Sequence, residues 1–281
     1  MRINSNLSGM MAAQQVGKAF TSYGESINRL SSGQRINKAA DDASGMTIAD
    51  SLQSQALGMG QAMKNASDAI SVTQIADGAL DETVGIINTI RTKAIQAAND
   101  GQSPASRQAI QSDIDNALKS LNQISETTSF NGQKLLNGQF TDKQFQVGAS
   151  ANETVGISIG TTGSDTLGSS ELGNLSDIDV TTFEGAQQAI QIADEALQQV
   201  DTIRSDIGST QNQLVSTINN LGDSQINIFA SESTIRDIDY AEESMNMSKM
   251  ETLTKARIFA AAQANASYKN VMSFFTGSAG K

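Results

Sequence analysis

From Phe183 to Leu221 a set of positions recurs at steps of 3 and 4 residues without a slip: Phe183, Ala186, Ile190, Ala193, Leu197, Val200, Arg204, Ile207, Gln211, Leu214, Ile218 and Leu221. Ten of these twelve are apolar. A helix of 3.6 residues per turn keeps such a set on one side, whereas a strand would scatter it over both faces. The run therefore predicts one long helix whose stripe must be covered by packing against others. Proline, which would interrupt such a helix, occurs once in 281 residues, as Pro104.

The same period organises most of the chain. Near the N-terminus Ile3, Leu7, Met10, Ala13, Val16, Phe20, Tyr23, Ile27 and Leu30 form a stripe, and Ser31-Ser32-Gly33 reads as its break. A second helix is expected from about Thr47 to Asn99, with Leu52, Leu57, Ala69, Val72, Ala76, Leu80, Ile87, Ile90, Ala94 and Ala97 on its apolar face. Ser103-Pro104 reads as an N-cap followed by proline at the first helical position, opening a helix that carries Ile110, Ile114, Ala117, Leu121 and Ile124. Between Phe130 and about Asp179 the period changes. Asn131-Gly132 and Asn137-Gly138 are turn dipeptides, and Phe145, Val147, Val155, Ile157 and Ile159 alternate as short strands do. Gly, Ser and Thr crowd residues 160–176, which predicts exposed loops there. A last helix, about Tyr240 to Phe275, carries Ile258, Ala261, Asn265, Tyr268, Met272 and Phe275, with Gln263, Ser267 and Asn270 on other faces. The tail from Gly277 to Lys281 is expected to fray.

Residue types narrow the function. With no His and no Cys, the chain has no imidazole base, no thiol nucleophile, no Ser-His-Asp triad and almost no route to a zinc or copper site. A net charge of −11 without a basic patch opposes nucleic-acid binding. No run of 18 apolar residues predicts a membrane span. Residues 1–20 lack a basic stretch followed by an apolar core, so export, if it occurs, is expected without a cleaved signal peptide. Aromatics are 4% with no Trp, which suits narrow seams between long helices better than a broad core.

Neither terminal helix can bury its stripe alone. The two can pair with each other in an ordinary bundle, or each can pair with other copies. A contact between unlike surfaces of successive copies propagates into an open helical filament when its rotation does not close.

The residues at this point resemble a known family. Arg29-Leu30-Ser31-Ser32-Gly33-Gln34-Arg35-Ile36-Asn37, followed by Asp41-Asp42-Ala43-Ser44-Gly45, resembles the N-terminal signature of bacterial flagellins. Residues 71–80, SVTQIADGAL, and Thr128-Ser129-Phe130-Asn131-Gly132 resemble its next segments. Residues 235–243, IRDIDYAEE, and Ala262-Gln263-Ala264-Asn265 resemble its C-terminal signature.

The resemblance implies a mainly α fold, with long coiled-coil helices from both termini and a small antiparallel β-hairpin element in the middle. It implies an inner terminal domain of residues 1–44 and 241–281 and an outer rod domain of residues 45–240, with a short variable loop at about 148–182. The implied function is that of a structural, non-enzymatic subunit polymerising into the hollow, helical filament used for motility, outside the cell. Implied partners are further copies of the chain, the flagellar export apparatus, a C-terminal export chaperone, and the cap and hook–filament junction proteins. No cofactor, metal, catalytic residue, nucleic acid or membrane insertion is expected. The central self-assembly contacts are expected at Leu7, Phe20, Ile27, Leu30, Ile258, Tyr268, Met272 and Phe275. Many members carry an Arg and a Leu in an outer helix that an innate immune receptor recognises. The aligned positions here are Thr89 and Lys93, beside Arg91, so weak signalling is expected.

Other features carry two readings each. Arg29 and Arg35 near Asp41 and Asp42 are either solvated loop charge or charge-assisted hydrogen bonds holding an interdomain loop. Asp113/Asp115 and Glu242/Glu243 read as solvated helix faces rather than catalytic carboxylates. Met245, Met247 and Met250 read as packing or as an adaptable partner stripe. Thr161, Thr162, Ser164 and Ser169 are either plain loop or acceptors for O-linked sugars. A junction protein of the same axial family and a soluble coiled-coil adaptor are the competing functions.

Overall fold

The structure, a computed structural model, describes residues 6–169 and 171–277, with side chains as far as Ser273. Five helices dominate: α1 (Leu7–Ser32), α2 (Ala43–Ala97), α3 (Pro104–Thr127), α4 (Phe183–Arg236) and α5 (Tyr240–Gly277). Between α3 and α4 lie six short strands, β1 (Ser129–Phe130), β2 (Gln133–Lys134), β3 (Lys143–Gln146), β4 (Thr154–Ile157), β5 (Gly168–Ser169) and β6 (Gly173–Asn174). They pair as three antiparallel ribbons, β1–β2, β3–β4 and β5–β6. The fold is mainly α with small antiparallel strand pairs. The chain divides into two compact units, residues 1–54 with 227–281, and residues 55–226.

The unit of residues 55–226 is built on two heptad seams. On α2 one seam of buried positions runs through Ala62, Ala66, Ala69, Thr73, Ala76, Leu80, Thr83, Ile87, Ile90, Ala94 and Ala97, spaced alternately by 4 and 3, with Val72 buried beside it. On α4 Ala186, Ala193, Val200, Ile207, Leu214 and Leu221 are buried, one per seven residues. The intervening Ile190, Leu197 and Ile218 pack half-buried on the same core. α3 contributes Ile110, Ile114, Leu118 and Leu121. Each of these large side chains, fully buried, contributes about 1.5–3 kcal/mol of transfer free energy. Leu57, expected on the buried face of α2, is instead exposed, because the seam runs one residue over, through Ala56. Ser103 accepts the Ser106 N–H at 3.1 Å and Pro104 opens α3.

The β elements close the core rather than hanging from it. Asn131 (φ 47°) and Gly132 (φ 78°) form the positive-φ pair of a two-residue hairpin turn between β1 and β2. Phe145 faces Val155 across β3–β4. Leu135, Leu136, Phe140, Ile157 and Ile159 are buried behind them. The stretch 160–176 corrects the expectation of exposed loops. Leu167 and Leu175 are buried in the common core, and Gln199 of α4 clamps Gly168 through both its backbone groups, at 3.1 and 2.8 Å.

The unit of residues 1–54 and 227–281 rests on the pairing of α1 with α5. Along α1 the covered positions are Gly9, Ala12, Val16, Ala19, Tyr23, Ser26 and Leu30. Along α5 they are Glu243, Met247, Met250, Thr254, Arg257, Ala261, Ala264 and Tyr268, an unbroken alternation of 4 and 3. The seam on α1 is thus made largely of small residues, which lets the helices approach closely. A Cβ on Gly9 would lie 2.5 Å from the Asn265 side-chain oxygen. All three tyrosines, Tyr23, Tyr240 and Tyr268, belong to this unit.

Candidate functional site

Small residues supply most of the α1 side of the seam, and several large apolar residues of these helices are left outside it. Leu7 is 66% exposed, Phe20 53%, Ile27 41% and Ile258 45%. Met10, Met11, Met245, Phe259 and Val271 are exposed with them. The apolar stripe read on α1 shares Val16, Tyr23 and Leu30 with the seam, whereas its Leu7, Met10, Phe20 and Ile27 are exposed and Gly9, Ala12, Ala19 and Ser26 are covered instead, a difference the sequence pattern alone does not resolve because both rows keep helical spacing. Leu30, Tyr268 and Met272 are half-buried and sit at the seam or its edge. Phe275 is within α5 by its backbone, but its side chain lies outside the described residues. Burial of these side chains against a further surface would be favourable, since each would leave water.

The loop after α1 fixes how the chain turns from α1 into α2. Gly33 takes φ 72°, which a Cβ would disfavour, and its N–H closes α1 on the Arg29 carbonyl at 2.9 Å. Gln34 forms a single antiparallel bridge with Asp237. The Arg35 N–H donates to the Arg236 carbonyl at 2.7 Å, and its guanidinium to the Ile235 carbonyl at 2.6 Å. Asp41 accepts the backbone N–H groups of Asn37 and Lys38 at 3.1 and 2.9 Å, and Asp42 accepts that of Gly45 at 2.9 Å. The four charged residues singled out in the sequence are therefore close in chain but not paired with each other. The carboxylates hold backbone N–H groups, and the Arg35 guanidinium holds a carbonyl. The Asp41 carboxyl is kept below its ordinary value chiefly by the two N–H groups, which outweigh desolvation, with smaller help from the charges of Arg29 and Lys38. Sequence reasoning missed Arg236, whose guanidinium reaches Asp50 at 3.1 Å and Glu232 at 3.9 Å. Its signal, an Arg closing a long helix, was available.

Of the four candidate sugar acceptors, Thr162, Ser164 and Ser169 are buried, and Ser164 exchanges hydrogen bonds with Asn122 at 2.9 Å. A sugar does not fit on these three hydroxyls without displacing the core, so they are corrected as acceptors. Thr161 is half-exposed. On α2, Thr89 donates to the Gly85 carbonyl, Arg91 pairs with Asp194 at 2.5 Å, and Lys93 pairs with Asp113 at 2.6 Å. Asp113 is thereby a structural partner rather than a free acid. Among the described residues no group of acidic side chains has the arrangement of a metal site, and no helix is long and apolar enough to cross a membrane.

Residues 3–141 match the bacterial flagellin N-terminal helical region, and residues 190–275 match the bacterial flagellin C-terminal helical region. The chain belongs to the bacterial flagellin family. A flagellin of Bacillus subtilis is 35% identical over 97% of this chain and 99% of its own length. Flagellin A of Helicobacter pylori is 52% identical over 59% of this chain, a match that spans 33% of that longer flagellin. The chain thus covers about a third of the Helicobacter pylori protein it matches. A flagellar hook-associated protein of Vibrio parahaemolyticus shares the fold, with a TM-score of 0.61 at 14% identity over 70% of this chain and all of that one. The two matched regions take in α1 to α3 with the β1–β2 ribbon, most of α4, and α5 as far as residue 275.

Proposed function

We infer that this chain is the repeating structural subunit of a hollow, helical bacterial flagellar filament, acting outside the cell in motility. The observation that carries the reading is the row of exposed apolar side chains on the paired terminal helices, Leu7, Phe20, Ile27 and Ile258 among them. Further copies of the chain are the partner that covers it, with Leu30, Tyr268, Met272 and Phe275 completing the contact. Residues 1–44 and 241–281 then serve as the inner domain, residues 45–240 as the outer rod, and Arg29, Arg35, Asp41 and Asp42 hold the loop between them. Gln263, Ser267 and Asn270 supply a polar wall facing the channel. The export apparatus, a chaperone for α5, and the cap and junction proteins are the remaining partners. No catalytic role is assigned to any residue.

Electron microscopy of the purified chain after seeding, beside a chain lacking residues 241–281, tests this. Long filaments from the first and none from the second are expected. Small, stable oligomers from the full chain would favour a junction protein or an adaptor. Weak innate-receptor signalling by the monomer is also proposed, from Thr89 and Lys93, and a strong receptor response to purified monomer would refute it.

A further inference from the structure

Charge is divided unequally between the two units. Residues 55–226 carry 20 acidic side chains against 8 basic ones, a balance of −12, while the rest of the chain carries 10 against 11. Copies joined through their terminal helices bring the acidic units together, and like charge opposes that association. A favourable contact between those units needs a cationic surface that is not already neutralised within the unit. Arg91, Lys93, Arg107 and Arg204 are each paired with a carboxylate of the same unit. Among the described residues the unit's other four cations, Lys64, Lys119, Lys134 and Lys143, have no carboxylate within 4.0 Å, and of these Lys134 and Lys143 line one groove of about 220 Å³ with Gln133 and Gln139.

That groove is held in shape by its surroundings. Lys134 follows the Asn131-Gly132 turn on β2, and Lys143 opens β3 opposite Ile157. The buried Phe140 lines the groove, with its carbonyl accepting the Ile159 N–H at 2.8 Å. Elsewhere on the same unit, α4 presents an open groove of about 480 Å³ lined by Asp194, Asp201 and Asp206 with Gln198 and Thr202. Asp194 is paired to Arg91, whereas Asp201 and Asp206 have no cation within 4.0 Å among the described residues. One groove thus offers two ammonium groups and amides, the other two carboxylates and hydrogen-bonding side chains.

We propose that the Lys134/Lys143 groove docks the Asp201/Asp206 face of α4 on a second copy of this chain, a proposal that rests on the filament reading above. The contact joins unlike surfaces, as a propagating helical assembly requires. It converts part of the repulsion between acidic units into a register-setting attraction.

The test is a charge swap in the full-length chain, read as the critical concentration for seeded polymerisation by sedimentation. Lys134→Glu with Lys143→Glu is expected to raise it about ten-fold, and Asp201→Lys with Asp206→Lys by a similar factor. All four changes together are expected to return it to within about three-fold of the wild-type value, because the complementarity is restored with reversed sign. Circular dichroism melting of each monomer checks folding. Should a reversal fail to fold, Lys134→Gln with Lys143→Gln replaces it, with an expected rise of about three-fold. Reversals that leave the critical concentration unchanged, or whose effects simply accumulate in the combined chain, overturn the proposal alone. A wild-type chain that forms no filaments overturns it together with the filament reading.

Discussion

The side-chain amides of Asn6 and Asn265, 259 positions apart, meet in a hydrogen bond of 2.9 Å at the start of the α1–α5 seam. Asn6 also caps α1, its oxygen accepting the Gly9 N–H at 2.9 Å. Asn6→Ala removes both interactions and is expected to cost about 1 kcal/mol, typical of a lost cap. Faster amide hydrogen exchange at the first turn of α1, with exchange in α3 unchanged, is the expected result. Uniform exchange rates in the two chains would argue against the capping role.

Core and assembly residues should separate cleanly. Ile87 is fully buried on α2, so Ile87→Ala is expected to destabilise its unit by ~2–5 kcal/mol in denaturant titration. Ile258 is 45% exposed on the described chain, so Ile258→Ala should change monomer stability far less, by under about 1 kcal/mol. Its effect should instead appear as a higher critical concentration for filament growth. A large loss of monomer stability from Ile258→Ala would remove it from the assembly face.

Acid should loosen the loop after α1. Because the folded-state pKa of Asp41 is lowered, its contribution is fully present above its ordinary value of 3.8 and is lost as pH falls through the lower folded value. Limited proteolysis at residues 33–42 by an acid-active protease should therefore rise below about pH 4. In Asp41→Ala that rise should be smaller, with more cleavage already at higher pH.

The hairpin turn offers a backbone test. Gly132 sits at φ 78°, where a side chain costs roughly 1–2 kcal/mol. Gly132→Ala should lower the melting temperature of the unit that holds β1 and β2, while Gly85→Ala, at an open helical position, should raise it slightly. Equal effects from the two changes would contradict the turn geometry.

The helices were legible because their patterns are long. Phe183 to Leu221 kept one period over many turns, and Ser103-Pro104 marked the start of α3 by capping chemistry. The Asn131-Gly132 turn was equally legible, since few dipeptides accept two successive positive φ values. Burial inside the 160–176 stretch was not. Its Gly, Ser and Thr residues look like loop, and only the tertiary contacts of Leu167, Leu175 and Gln199 turn it inward. The helical spacing of α1 was legible, but which of its rows pairs with α5 was not. Gly9, Ala12, Ala19 and Ser26 compete with Leu7, Phe20 and Ile27 for the same helical spacing, and close approach, not hydrophobicity, decides which row pairs with α5. The partners of Asp41 and Asp42 were also hidden, because backbone N–H groups leave no mark on composition.

The confinement of Tyr23, Tyr240 and Tyr268 to the unit of the paired termini, in a chain without Trp, makes the protein its own optical probe. Its tyrosine emission comes from one unit alone. The larger unit is silent apart from weak phenylalanine signals. Docking of the ends in the proposed filament can then be followed in real time in the native sequence, with no dye attached and no residue changed.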